Sequence, residues 1–145
     1  MRGGLRVLAL VFAVLATAGV AAAQPVIAQG QVWTFKDAST ETARVAIMRI
    51  EEWEGTQAVH VSIYGLPAIQ GSFSGVIAHM PFDRQALEAS LETLTTETPR
   101  TDLQVESGYR QWKRARGGIF TISLMEAIRI ALGITSSPPP SPNPT

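Results

Sequence analysis

The sequence predicts an α+β domain, in which an antiparallel sheet of about four strands has about three helices packed on one face. Two observations lead to this prediction. Several early segments alternate apolar and polar residues with the period of two that is typical of strands with one buried face. Three later segments carry apolar residues at helical spacing and begin with residues that cap helices.

The clearest pair of strands flanks a loop rich in glycine and proline. Residues 58–64 alternate apolar with polar side chains, and a second apolar run covers residues 76–80. If the loop is symmetric about residues 69–70, antiparallel pairing sets Val61 opposite Ala78. The apolar side chains of both strands, including Val59 and Ile63, then share one face of the ladder.

The same register places His60 opposite His79 on the other face. Directly opposed residues in a sheet have Cβ atoms roughly 4.5–5.5 Å apart, so the two histidines of the chain are predicted to be neighbours. Two imidazoles can supply two metal ligands, and Asp83 is the candidate for a third. The competing interpretation is polar surface, because no H-x-x-x-H spacing accompanies the pair.

Two strands precede this pair. Residues 31–36 alternate so that Trp33 and Phe35 point inward. Residues 43–51 are rich in β-branched side chains and form the second strand. An acidic turn then leads into the central pair, and we interpret it as solvated surface; it contains Glu51, Glu52 and Glu54 around Gly55.

The first helix is predicted to begin at Asp83, a good N-cap residue. Phe82 and Leu87 have the spacing of a hydrophobic staple. The apolar stripe of this helix consists of Leu87, Leu91 and Leu94. Pro99 ends the helix, since a proline disfavours helical backbone in the residue before it.

Two further helices follow. A capping box at residues 101–104 begins the second helix, whose inner side consists of Val105, Tyr109 and Trp112 and which stops at Gly117 and Gly118. After a short strand at residues 119–122, a second capping box at residues 123–126 begins a third helix that runs to Gly133.

Residues 1–23 have the order of a secretory signal peptide. Arg2 and Arg6 precede the apolar run 7–20, and Ala21–Ala23 form a small-residue cleavage site. The apolar run is shorter than the roughly 20 residues that span a bilayer, which disfavours a membrane anchor. We therefore expect cleavage after Ala23 and an exported mature chain, periplasmic or secreted, without a transmembrane segment.

The mature chain is expected to form a single domain over residues 24–135. Loss of Arg2 and Arg6 leaves ten basic and twelve acidic residues, a net charge of −2, so nucleic acid is not an expected partner. The chain has no cysteine, and one hydrophobic core must therefore hold the fold without disulfides. Residues 136–145 are a proline-rich tail that is expected to be disordered or polyproline II.

A basic cluster on the second helix is the candidate contact with a partner. Arg110, Lys113 and Arg114 share one face of that helix. Such a face fits anionic lipid headgroups, an acidic protein or a polyanionic polymer of the envelope. Trp53, between two glutamates, is the tryptophan expected to be exposed and to mark a contact. The competing interpretation of the basic residues is a solvated helix face.

A serine-hydrolase site is not supported. The sequence G-S-F-S-G at residues 71–75 has phenylalanine where a nucleophile elbow has serine, and the loop joins two strands instead of a strand and a helix. No cofactor is predicted.

Several short motifs occur in an order that resembles a family of small, uncharacterised, exported bacterial proteins. The motifs are G-Q-V-W at residues 30–33, H-x-S-x-x-G at residues 60–65, H-x-P-F at residues 79–82 and S-x-x-E-A at residues 123–127. The resemblance implies one compact domain and a bacterial, periplasmic setting. It implies no activity.

The sequence favours a non-enzymatic binding or accessory protein that recognises an envelope protein or an anionic envelope component. One alternative is a metal-binding protein or hydrolytic enzyme built on His60, His79 and Asp83. Another is a carrier of a small ligand bound between the sheet and the helices.

Overall fold

The computed structural model describes residues 25–134, so the predicted signal peptide and proline-rich tail lie outside the described residues. Five strands form one antiparallel sheet: β1 (Val32–Phe35), β2 (Arg44–Trp53), β3 (Thr56–Tyr64), β4 (Ile77–Asp83) and β5 (Leu91–Leu94). Their spatial order is β4-β3-β2-β1-β5. The helices are α1 (Arg84–Ser90), α2 (Val105–Ala115) and α3 (Leu124–Ala131). The predicted α+β class is confirmed.

The main core lies between one face of the sheet and helices α1 and α3. Val59, Val61 and Ile63 are fully buried in it, as the alternation along β3 predicts. Phe82 from β4 and Leu124 from α3 fill the same layer. Burial of such side chains contributes roughly 1.5–3 kcal/mol each, so this layer is the main source of stability.

Helix α2 packs on the opposite face of the sheet, whereas the sequence predicted all helices on one face. That face carries a smaller apolar cluster of Val32, Ala46 and Tyr64. Every residue of β3 from Ala58 to Tyr64 is buried, on both faces. A central strand buried on both sides requires a cover on each, and α2 supplies the second cover.

Strand β5 replaces the second half of the predicted first helix, and it brings the strand number to five. Helix α1 ends at Ser90, and Leu91 then pairs with Phe35 in β1. The edge of β1 offers backbone hydrogen bonds that a longer helix would leave unmade. Leu91 is buried in the core in either conformation, which is why the leucine spacing alone did not distinguish helix from strand.

The predicted register of the central pair is wrong by up to two residues. Val61 lies opposite Met80 instead of Ala78, and His60 lies opposite Pro81. An irregularity between Val61 and Ile63 and a small turn within the loop move the pivot of the hairpin. Because the shift at His60 is an even number of residues, His60 and His79 stay on the same face as diagonal neighbours.

The predicted helix starts are confirmed at two of three places. Asp83 accepts hydrogen bonds from the backbone of Gln85 and Ala86, and Ser123 accepts one from Glu126. Helix α2 begins at Val105 without a side-chain cap, instead of at the predicted capping box. The predicted strand at residues 119–122 is reduced to one bridge with β4. Across residues 25–134 no helix has the length and apolarity needed to cross a bilayer.

Candidate functional site

A chain of hydrogen bonds joins Glu51, His60 and His79 between the sheet and α2. His60 Nδ1 lies 2.9 Å from His79 Nε2, and His60 Nε2 lies 2.9 Å from Glu51 Oε1. The two imidazole rings are stacked, with centroids 5.1 Å apart and planes 17° apart. The predicted proximity of the two histidines is therefore confirmed, although their register is not.

A bulge in β2 brings Glu51 to this cluster. Val45 and Ile47 point into the main core, and an uninterrupted strand would place Arg49 and Glu51 on that same face. The pairing with β3 shifts between Ile47 and Arg49, which turns the following residues over. Arg49 and Glu51 thereby face α2 instead of the core.

The carboxylate fixes the tautomers of both rings at neutral pH. An ionised carboxylate only accepts hydrogen bonds, so His60 Nε2 carries a proton and donates it to Glu51. His60 Nδ1 is then an acceptor, and His79 Nε2 must donate to it. The remaining nitrogen, His79 Nδ1, keeps its lone pair. A proton that binds His79 Nδ1 can therefore be passed on by a shift of protons from His79 through His60 toward Glu51.

Aromatic side chains of α2 close the cluster from above. The Tyr109 and Trp112 rings meet His60 edge-on, with centroids 5.0 and 4.6 Å away. Trp112 also packs on Trp53, at 4.4 Å, and donates from Nε1 to the carbonyl of Gly118. His60 is completely buried as a result.

The second oxygen of Glu51 is held by α2. Lys113 Nζ lies 2.7 Å and the Tyr109 hydroxyl 3.2 Å from Oε2, and both donate. Burial opposes ionisation of Glu51, but the hydrogen bonds from Lys113 and Tyr109 outweigh it and lower the pKa of this carboxyl. Glu51 therefore ties α2 to the sheet as an anion that accepts from three side chains.

Both histidines are held neutral. Burial lowers the pKa of His79 to about 4, and the neighbouring His60 acts in the same direction. Burial also lowers the pKa of His60, an effect that its hydrogen bond to Glu51 only partly opposes. Two protonated rings in direct contact would repel each other as well as losing water, so the neutral pair is the state that fits the closed cluster.

Gly108 allows α2 to approach the pair closely. A Cβ at this position would lie 2.7 Å from His79 Cβ, well inside van der Waals contact. The sequence alone marks Gly108 as a weak point of the helix, because glycine destabilises helix interiors. The structure shows that His79 occupies the space that a side chain at position 108 would need.

The structure does not bring Asp83 to the two histidines. Its carboxylate caps α1 and accepts from the Thr56 hydroxyl at 2.9 Å. Within the described range, no group of three or more His, Asp or Glu side chains is arranged to hold a metal ion. The predicted set of three ligands is therefore not assembled. What the histidine pair offers chemically is a relay for protons, in which His60 is covered by Tyr109 and Trp112.

The predicted contact residues lie on or beside α2 but differ in character. Arg110 and Arg114 are exposed, and neither forms an ion pair with any residue in the part of the chain that the structure describes. Lys113 points inward to Glu51 with its ammonium 4.8 Å from the Trp53 ring. Trp53 itself is half-buried against Trp112 instead of freely exposed.

A surface cleft of about 410 Å³ lies beside α2. Its walls include Arg49, Arg100, Leu103 and Tyr109, and it reaches down to His60. It lies on the α2 side of the sheet.

On the other side of the sheet, a cleft of about 470 Å³ borders the core residues Ile27, Trp33 and Leu91 beside α1. Another, of about 320 Å³, borders the α3 residues Met125 and Ile128. The predicted small-ligand carrier stays a prediction.

No protein-family model, curated protein or solved structure matches this chain. The resemblance to small exported bacterial proteins therefore stays a prediction. The arguments about function rest on the geometry of the cluster and of α2.

The sequence pattern does not reveal the roles of two residues of the cluster, Glu51 and Gly108. Glu51 was interpreted as part of a solvated turn, because the bulge that turns it toward His60 leaves no mark in the pattern of apolar residues. Gly108 shows in the sequence only as a glycine that weakens the interior of the second helix. The signal available for it was the combination of a glycine with Tyr109 and Trp112 on one inner face, which indicates a close helix–sheet contact.

Proposed function

We propose that the protein is an exported, non-enzymatic accessory protein that binds an anionic lipid surface of the cell envelope through the outer face of α2. The observation that carries the proposal is the pair Arg110 and Arg114, which are exposed one turn apart and have no ion-pair partner among residues 25–134. Both guanidiniums are free to meet headgroups without breaking an existing ion pair.

The shape and surroundings of this face support a surface as the partner. Arg110 and Arg114 follow one exposed side of a helix, outside the cleft beside α2, so they fit an array of charges better than a single small anion. Arg116 at the end of the helix is 79% exposed and only loosely paired with Glu54, at 3.8 Å. Each basic residue near an anionic membrane contributes about 1 kcal/mol.

The inner face of the same helix supports a binding role over a catalytic one. His60 uses both ring nitrogens in hydrogen bonds to Glu51 and His79 and is completely buried, so neither nitrogen is free to act on a substrate in the adjoining cleft. The hydrogen bonds of this cluster position α2, and α2 presents the arginines.

Co-sedimentation with lipid vesicles at neutral pH tests the proposal. Mature protein is expected to bind vesicles that contain anionic lipid and to ignore zwitterionic vesicles, with binding that weakens as salt is added. The double variant Arg110→Gln/Arg114→Gln should bind about 30-fold more weakly, from roughly 1 kcal/mol per charge. The matched control Lys36→Gln/Arg129→Gln removes the same charge elsewhere and should bind like the parent protein.

Equal loss of binding in both double variants would show that net charge alone is responsible and would refute a site on α2. Failure of the parent protein to bind anionic vesicles at low salt would refute the proposed function.

A further inference from the structure

We propose that acid releases α2 from the sheet, and that the released helix then buries Tyr109 and Trp112 in the anionic membrane surface that its arginines have already met. The release is a property of the Glu51–His60–His79 cluster by itself. Its lipid consequence rests on the proposed function.

The attachment of α2 is concentrated on this cluster. Tyr109 and Trp112 are the only residues of α2 that are buried, and both pack against His60. Lys113 and Tyr109 reach the same carboxylate, Glu51. Within residues 25–134, the apolar cluster on this face of the sheet has three buried residues, none of them from α2, compared with eighteen in the main core. A change at the histidines therefore acts on most of what holds α2.

A proton has one point of entry. Both nitrogens of His60 and Nε2 of His79 are hydrogen-bonded, which leaves His79 Nδ1 as the ring nitrogen without a partner in residues 25–134. The His79 ring lies against Gly108, in the first turn of α2. A cation at this point faces the positive end of the helix dipole, so it destabilises the docked position of α2.

The charged and titratable groups around the pair offer little compensation. From β2 it is faced by Arg49 and Glu51, from α2 by Glu106, Tyr109 and Lys113, and from the cleft beside α2 by Arg100. Glu106 and Asp102 already pair with Arg49 and Arg100. Glu51 already accepts from three side chains. The low pKa of His79, about 4, agrees with this lack of a free anion.

Release of α2 exposes the two histidines to water and exposes the aromatic face of the helix. Solvated imidazoles regain an ordinary pKa near 6.5, so they take up protons readily once α2 has left. The free helix has Tyr109 and Trp112 on one side and Arg110 and Arg114 on the other. Aromatic residues opposite basic ones are typical of helices that lie in a membrane interface.

The release step is tested without any membrane. Amide exchange of residues 105–115, corrected for the intrinsic pH dependence, is to be followed in the mature protein from about pH 7 to about pH 4.5. Protection of α2 is expected to fall at least about tenfold more than that of β2 and β3. In His79→Gln the amide can still donate to His60 Nδ1 but cannot become charged. His60 still can, so α2 should lose clearly less protection than in the parent protein without keeping all of it. Glu88→Gln on α1 is the control for a substitution to glutamine far from the cluster and should behave like the parent protein.

Loss of protection that is the same in His79→Gln, or that is uniform over the whole molecule, would overturn the release. The lipid step is measured by quenching of tryptophan fluorescence with brominated anionic lipids. The parent protein should be quenched more deeply and bind at least about tenfold more tightly at about pH 4.5 than at pH 7, and His79→Gln should lose most of that difference.

The two proposals fail separately. Binding to anionic vesicles at pH 7 with no acid-induced release of α2 would leave the proposed function standing and refute this inference. Release of α2 without binding to anionic vesicles at either pH would refute both the proposed function and the lipid step, while the acid-sensitive attachment would stand.

Discussion

At the scale of single residues, Glu51 and Gly108 determine how α2 meets the sheet. Glu51 uses one oxygen to orient His60 and the other to hold Lys113 and Tyr109. Gly108 lets α2 approach the sheet, because only a residue without a side chain leaves room for His79 under the first turn of α2. Glu51 therefore supplies the hydrogen bonds that hold α2, and Gly108 supplies the space that its close packing requires.

Replacement of Gly108 with alanine tests the fit. Alanine favours helix over glycine by about 1 kcal/mol, but its Cβ would lie 2.7 Å from His79 Cβ. Overpacking of this kind costs about 1–3 kcal/mol, and the colliding atom is next to the backbone of β4 and cannot swing away. We expect Gly108→Ala to lower the free energy of unfolding in urea or to expose α2 to exchange.

Gly118→Ala is the matched control, because a Cβ there has no atom within 4 Å. Its unfolding free energy should equal that of the parent protein or exceed it slightly. A Gly108→Ala protein more stable than the parent would show that α2 does not rest on His79 as described.

At the scale of elements, α1 shows how one side chain fixes where a strand ends and a helix begins. Asp83 is the last residue of β4 and the N-cap of α1. Its carboxylate accepts from the backbone of Gln85 and Ala86 and from Thr56 on the neighbouring strand. A helix of seven residues has little stability of its own, so its cap matters more than in a long helix.

Asp83→Ala removes the cap and should lower the unfolding free energy by about 1–2 kcal/mol, measured by urea denaturation. Asp83→Asn retains an acceptor for the same backbone groups and should lose only a small part of this. The same pair of variants addresses the predicted role of Asp83 in metal binding. Suppose that zinc binding depends on the Asp83 carboxylate and that Asp83→Ala leaves the unfolding free energy unchanged. That result would contradict the function of Asp83 as a helix cap.

At the scale of the whole molecule, the sheet separates two layers with different chemistry. The layer under α1 and α3 is apolar, whereas the layer under α2 contains the two histidines, Glu51 and the aromatic side chains of Tyr109 and Trp112. The titratable groups buried against the sheet therefore lie on its α2 side.

This asymmetry predicts the pH dependence of global stability. The pKa of His79 is about 4 in the folded protein and 6.5 when solvated, so between these values the unfolded chain binds a proton that the folded chain does not. Stability from the neutral ring is complete above about pH 6.5 and is lost as the pH falls toward 4, and His60 adds to the loss. The loss from His79 alone is on the order of 3 kcal/mol, from a pKa difference of about 2.5 units at 1.36 kcal/mol per unit.

Urea denaturation at several pH values between about 7 and 4 measures this loss. His79→Gln should flatten the curve in this window. Stability that rises on acidification over the same range, or an identical slope in the variant, would contradict a neutral His79 in the folded state.

The order of polar and apolar residues determined much of this protein by itself. It specified the α+β class, the inward face of β3, the starts of α1 and α3 and the shared face of the two histidines, because each of these depends on periodicity or on a neighbour a few residues away. Only the tertiary structure decided that Leu91–Leu94 extend the sheet, that a bulge turns Glu51 toward His60 and that α2 covers the second face. These outcomes depend on distant backbone edges and on space left by other elements, and a local pattern carries no information about either.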